Sequence, residues 1–198
     1  PKYYDLILEK LIDVKEDGSF HLNMDYFAFT YDKVMTNKKF SKLFGINPRI
    51  KNEKVEQIHF DIGASAQKVL EYILLKIAKF LYENTRMKNL CVAGGVALNG
   101  VANNRLLKES QFENIHIPPS PGDAGSAVGC AQYLHFVHNS NKRIIETNSA
   151  KRVQENIYVG PSFNQDEINQ FLTSNNIVYE SFEKKSLLEK TVKLIADG

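Results

Sequence analysis

The chain has little cysteine: among 198 residues there are only two, Cys91 and Cys130. Cys91 lies in a predicted strand and Cys130 in a predicted helix of small residues. Both are therefore expected to be buried free thiols rather than a disulfide or a metal-binding pair. This use of cysteine is typical of a reducing compartment such as the cytoplasm.

The chain also lacks long apolar runs and a strong net charge. No run approaches the roughly 20 residues that span a bilayer. The first residues do not show the basic region and apolar core of a signal peptide. A formal net charge of +2 indicates neither a nucleic acid nor an acidic membrane as a partner. With 43% hydrophobic and 24% charged residues, the composition is that of an ordinary soluble globular protein.

The stretch that carries most information is an apolar run followed by a pair of glycines and a helical pattern. Residues 90–93 predict a fully buried strand, Gly94 and Gly95 end it, and apolar residues then recur at helical spacing. Such a turn lets backbone N–H groups approach a phosphate or a ribose, because no Cβ atom intervenes. The helix N-terminus behind it favours negative charge. On these residues alone, a tight turn without any ligand explains the pattern as well.

A second loop follows a second predicted strand, residues 112–117. In this loop Asp123 stands where a proline-rich segment meets a helix of small residues. Its carboxylate either caps the helix or is a hard metal ligand aimed into a cleft, and the residues leave both roles open. Because both loops follow strands of the same lobe, Asp123 is predicted to lie beside Gly94, Gly95 and Asn99 at the mouth of one cleft.

Three motifs together carry a family resemblance: Ala93-Gly-Gly-Val-Ala-Leu-Asn99, Asn103-Asn-Arg-Leu-Leu107 and Pro121-Gly-Asp-Ala-Gly-Ser-Ala-Val-Gly129. They resemble the O-carbamoyltransferases of the NodU/CmcH/TobZ type and, more distantly, the TsaD proteins. The resemblance implies an α/β fold. Residues 1–150 would be one lobe of an actin-like, Hsp70-like ATPase fold. Residues 151–198 would begin a small, YrdC-like C-terminal α/β domain.

The same resemblance implies an ATP-dependent reaction. ATP and carbamoyl phosphate would form a carbamoyl-adenylate, from which the carbamoyl group moves to a hydroxyl of a small acceptor. Gly94 and Gly95 would approach the nucleotide, and Asn99 would hydrogen-bond it through an amide that offers both a donor and an acceptor. Asp123 would ligate a divalent metal, iron in this fold family, that polarises phosphate or carbamoyl oxygens. The resemblance assigns no catalytic residue to this chain, and it is compatible with a homodimer.

Two other functions compete with this one. A non-catalytic nucleotide-binding or assembly module could use the same half-fold, and so could a sugar-kinase-like ATPase. A dehydrogenase is disfavoured, since Gly94-Gly95 is not part of a G-x-G-x-x-G motif. The chain begins without methionine and stops at Gly198, so we expect a piece of a longer protein. The first half of the fold and its metal-binding histidines are not in the sequence, and the chain alone is expected to be inactive.

The remaining secondary structure is predicted from apolar periodicity and capping residues. The predicted first lobe has a helix over residues 4–14, a strand over 19–23, a helix over 37–44 capped by Thr36, a helix over 61–84 capped by Asp61, and a helix over 126–138. His59 is expected to serve the start of the long helix. After a polar stretch at 139–155, a second unit is predicted with strands at 157–159 and 178–182 and helices at 165–174 and 186–196.

Overall fold

The computed structural model describes residues 1–142 and 160–198, and the chain divides into two compact units, residues 1–144 and 145–198. The architecture is mixed α/β, as predicted, although its small sheets do not by themselves establish an actin-like lobe. The described α-helices and strands are α1 (Tyr4–Lys10), β1 (Ile12–Val14), β2 (Phe20–Leu22), α2 (Lys38–Phe44), α3 (Gln57–Thr85), β3 (Asn89–Cys91), α4 (Gly100–Glu109), β4 (Asn114–His116), α5 (Gly125–Gln132), α6 (Gln165–Ser174) and α7 (Lys184–Asp197). A π-helix, Tyr133–His138, continues α5.

The long helix α3 is the scaffold of the first unit. Its apolar face contributes Val69 and Ile73 to one buried cluster and Ala78 to another. The first cluster joins α3 to α1, β1 and α2, and the second joins it to α4 and to Phe112 ahead of β4. Because both clusters share one helix, α3 fixes where α4 and the β3–β4 pair lie. Among the described residues, no helix is both long and apolar enough to cross a lipid bilayer.

The N-cap of α3 differs from the one predicted from the sequence. The helix begins four residues before the predicted N-cap Asp61, because Glu56 and His59 form a reciprocal capping box. In this pair the Glu56 backbone N–H donates to His59 Nδ1 at 2.9 Å. The predicted role of His59 is therefore confirmed and that of Asp61 is wrong. The Asp61 carboxylate instead accepts a hydrogen bond from the side chain of Gln57.

The first two helices show similar shifts. Asn37, not Thr36, caps α2, since its Oδ1 accepts from the backbone N–H groups of Lys39 and Phe40. The predicted helix over 4–14 ends at Lys10, because residues 12–14 pair antiparallel with residues 20–22. A β-hairpin thus replaces the last turn of the predicted helix.

The prediction of a fully buried strand at residues 90–93 is wrong in its burial. A strand is present at Asn89–Cys91, but Leu90 is half-buried and Cys91 is exposed. The physical reason is the size of the sheet: β3 pairs only with β4 in the described chain, and helices cover one face. The same geometry leaves Cys91 exposed, and Cys130 is exposed on α5, so both are free thiols but not buried ones.

The second unit contains the predicted helix at residues 165–174. Asn164 caps it in a capping box with Glu167. The predicted strand at 178–182 is not formed, since no described strand pairs with that segment, and the predicted strand at 157–159 lies outside the described residues. The unit boundary falls between residues 144 and 145, and the identity of the second unit stays a prediction.

Candidate functional site

The parallel pair β3–β4 brings two loops to one edge of the sheet. Leu90 is opposite Ile115 in the register, and the Val92 N–H donates to the His116 carbonyl at 2.9 Å just beyond it. The loops that follow the two strands therefore begin at the same carboxyl edge of the sheet, which is where ligands bind in open α/β sheets.

Gly94 is the first residue of the turn after β3. Its φ of +101° lies in the region that favours glycine, and its N–H donates to the Pro121 carbonyl at 2.7 Å. A Cβ atom built at Gly94 or at Gly95 would meet no atom within 4 Å. Space beside both glycines is therefore free, although the Gly94 N–H is already engaged by Pro121, and the approach of a nucleotide to this turn stays a prediction.

The loop after β4 touches this turn at a second point. A Cβ atom at Gly122 would lie 3.7 Å from Leu98 Cδ1, next to the hydrogen bond between Gly94 and Pro121. Asp123 follows directly and is exposed. The structure therefore brings the loop of Asp123 against the Gly94–Gly95 turn, while the ligands of these residues stay a prediction.

Asp123 does not cap α5 with its side chain. The residue before the helix is Ala124, and no side-chain hydrogen bond is made at that position. Asp123 acts through its backbone, since its carbonyl accepts from the Ser126 N–H at 3.1 Å and from Ser126 Oγ at 2.6 Å. Of the two roles considered for the carboxylate, helix capping is the one that the geometry does not support.

The donor chemistry of Asp123 suits a hard cation, yet the carboxylate is a single ligand. In the parts of the chain that the structure describes, no group of three histidine, cysteine, aspartate or glutamate residues could hold a metal ion. A complete metal centre would therefore need further ligands from outside these residues.

Asn99 caps α4, directly behind the glycine turn. Its Oδ1 accepts from the Ala102 backbone N–H at 3.0 Å, which satisfies one of the free donors at the helix start. The half-buried Asn99 amide also pairs with the side chain of Gln67 on α3: Asn99 Nδ2 donates to Gln67 Oε1 at 2.8 Å. Much of this amide is thus already engaged by the fold.

The hydrogen bonds continue from Gln67 to a buried carboxylate. Gln67 Nε2 donates to Glu71 Oε1 at 2.7 Å, and Arg105 Nη1 on α4 donates to Glu71 Oε2 at 2.8 Å. Arg105 also binds Glu109 through two hydrogen bonds of 2.6 Å. We refer to Asn99, Gln67, Glu71 and Arg105 as the α3–α4 polar network.

The charge of Glu71 is maintained against its burial. Its residue is only 8% exposed, and burial raises the pKa of the carboxyl, but hydrogen bonds from Arg105 and Gln67 outweigh this effect. The net pKa of Glu71 lies below its ordinary value, so the group is ionised at neutral pH. The same ion pairs raise the pKa of Arg105.

Sequence reasoning missed Gln67, Glu71 and Arg105. Gln67 and Glu71 are four residues apart, as are Arg105 and Glu109, so each pair shares a helix face. That spacing was a visible signal, but it did not reveal that Gln67 would meet Asn99, which is 32 residues away.

The start of α5 is closely packed against the preceding loop. A Cβ atom at Gly125 would lie 2.0 Å from the Ser120 carbonyl oxygen, whereas one at Gly129 in the same helix would meet nothing within 4 Å. Gly125→Ala is expected to reduce the free energy of unfolding by about 1 to 3 kcal/mol through overpacking. Gly129→Ala should raise it by about 0.5 to 1 kcal/mol. Urea denaturation of both variants checks this, and equal effects would contradict the packing.

The family described as Carbamoyltransferase N-terminus matches residues 1–132, a span that includes both loops and the α3–α4 polar network. The chain belongs to the carbamoyltransferase family. Its membership agrees with the resemblance in the three glycine-rich and asparagine-rich motifs.

Individual relatives agree with the family. Uncharacterized protein sll1178 of Synechocystis is 42% identical over 200 residues, covering all of this chain and 32% of that protein. Nodulation protein NolNO of Sinorhizobium fredii is 28% identical over 97% of the chain and 26% of its own length. Nodulation protein NolO of Bradyrhizobium diazoefficiens is 39% identical over 45% of the chain and 16% of its own length. The chain thus spans about a third or less of these relatives.

Proposed function

We propose that the protein containing this chain is an ATP-dependent O-carbamoyltransferase, with this chain forming one wall of the nucleotide site. The observation that carries the proposal is the family match across residues 1–132, which spans the joined loops of Gly94 and Asp123. A lobe of an actin-like ATPase would place those loops at a nucleotide cleft. In that arrangement residues 151–198 would begin the C-terminal domain.

The proposed carbamoyl transfer proceeds in three steps. Carbamoyl phosphate loses its phosphate to water and leaves carbamate. A carbamate oxygen attacks the α-phosphorus of ATP, the bond to the β-phosphate breaks, and pyrophosphate leaves with carbamoyl-adenylate formed. The hydroxyl oxygen of a small acceptor then attacks the carbamoyl carbon, AMP departs with the bonding electron pair, and the hydroxyl proton is lost.

The chain's own groups would act on the nucleotide. The free space beside Gly94 and Gly95 would admit a phosphate or a ribose, and Asn99 would donate a hydrogen bond to it. Asp123 would supply one ligand to a divalent metal, iron by resemblance, which when bound would polarise phosphate or carbamoyl oxygens. The other ligands would come from outside the described residues, and residues 1–198 alone are therefore expected to show no turnover.

The products of ATP test this proposal on the protein encoded by the complete reading frame. A carbamoyltransferase should release pyrophosphate only when carbamoyl phosphate is present, and AMP only when a hydroxyl-bearing acceptor is present as well. A sugar-kinase-like ATPase would instead release ADP, and a non-catalytic module would bind ATP without cleaving it. Either of those results would overturn the proposed function.

A further inference from the structure

We propose that Gln67 is a positioning residue for Asn99 that restricts this amide to donating a hydrogen bond to the nucleotide. The inference rests on the proposed function and concerns the same site. Gln67 and Asn99 form a cyclic amide pair in which Asn99 Nδ2 donates to Gln67 Oε1 at 2.8 Å and Gln67 Nε2 donates to Asn99 Oδ1 at 3.2 Å. Gln67 therefore contacts both polar atoms of the Asn99 side chain.

The orientation of each amide is set by the hydrogen bond that it makes outside the pair. The Ala102 backbone N–H is only a donor, so Asn99 must turn Oδ1 toward α4. Ionised Glu71 is only an acceptor, so Gln67 must turn Nε2 toward it. Arg105, a donor only, holds Glu71 from the other side. The two fixed orientations are complementary, and the amide pair cannot flip without losing hydrogen bonds at both ends.

This arrangement decides what Asn99 can offer a ligand. Its Oδ1 already accepts two hydrogen bonds, from Ala102 and Gln67, and one Nδ2 hydrogen is committed to Gln67 Oε1. A single N–H then remains, because an asparagine amide carries two donors and two lone pairs. The partner must therefore be an acceptor atom, such as a ribose or phosphate oxygen, rather than the exocyclic amine of the base.

A double-mutant cycle in ATP affinity tests the positioning role on the protein of the complete reading frame. Gln67→Met keeps the length of the side chain but removes the amide. It is expected to weaken ATP binding about five- to tenfold, because Asn99 loses both hydrogen bonds to Gln67 and is held only by the Ala102 N–H. In an Asn99→Ala background the same substitution should leave the ATP Kd unchanged. A purely structural role would shift affinity similarly in both backgrounds. Gln57→Met, on the same helix with its amide bound to Asp61, is the control and should not change the Kd.

Thermal unfolding separates folding from positioning. Gln67→Met should lower the Tm in both backgrounds, since it also removes a hydrogen bond to Glu71. A Kd that rises equally with and without Asn99, or does not rise at all, would overturn the positioning role while leaving the proposed function intact. If the protein of the complete reading frame binds no ATP, the proposed function is overturned, and this inference with it.

Discussion

In the protein of the complete reading frame, Asp123→Ala is expected to abolish carbamoyl-adenylate formation, with a fall in turnover of at least about a hundredfold and almost no change in stability. In the complete protein, where the proposed opposing wall would close the nucleotide site, a carboxylate that ligates a cation would contribute several kcal/mol, and its removal could release the metal. The stability should be unaffected because the exposed side chain makes no helix cap. Pyrophosphate release, metal content by mass spectrometry and thermal unfolding together measure the effect.

Asn99→Ala is the matched comparison. It removes the N-cap of α4, which should cost about 1 kcal/mol of stability, and it should reduce turnover less than Asp123→Ala because an amide hydrogen bond contributes about 1 kcal/mol net. Asp166→Ala, at an exposed carboxylate in the first turn of α6, controls for the loss of a surface charge. Near-normal turnover of Asp123→Ala with a lowered Tm would withdraw the metal role.

Arg105→Leu is expected to reduce the free energy of unfolding by about 3 kcal/mol, the largest stability effect that we predict. The variant leaves the Glu71 carboxylate, 8% exposed, without its charged partner. Chemical denaturation measures the loss. The double variant Arg105→Leu/Glu71→Leu should recover most of it, because replacing a buried ion pair with apolar side chains is close to neutral. Additive losses in the double variant would contradict the pairing.

The pH dependence of stability follows from the same pair. The folded-state pKa of Glu71 lies below its ordinary value of 4.5, so its contribution is fully present above about pH 4.5 and is lost as the pH falls through the folded pKa. The free energy of unfolding of the chain without substitutions, measured between pH 7 and pH 3, should show this loss. Glu71→Leu/Arg105→Leu should show a smaller change over that range, and an identical pH profile would contradict the assignment.

Features that depend on residues close together in the sequence were predicted correctly. The capping role of His59, the helix at residues 165–174 and the glycine turn after β3 each depend on groups a few residues apart. Errors arose where several residues near a helix start could be its N-cap: Asp61 and Thr36 are of suitable types, but Glu56 and Asn37 are the N-caps. The choice depends on which backbone N–H groups are free, and that follows from packing.

Long-range features were harder to predict. The burial of residues 90–93 depends on how many strands flank them, and the apolar run itself does not give that number. The pairing of Gln67 with Asn99 requires α3 and α4 to pack side by side. By contrast, the approach of the Asp123 loop to Gly94 could be predicted, because the loops that follow two parallel strands begin at the same edge of the sheet.

The most direct test of the account is detection of the intermediate. The protein of the complete reading frame would be mixed with ATP and ¹³C-labelled carbamoyl phosphate without any acceptor, quenched, and examined by mass spectrometry. The account predicts a labelled carbamoyl-adenylate together with pyrophosphate, and neither product when carbamoyl phosphate is omitted. ATP cleaved to ADP and phosphate, with no labelled adenylate, would contradict it.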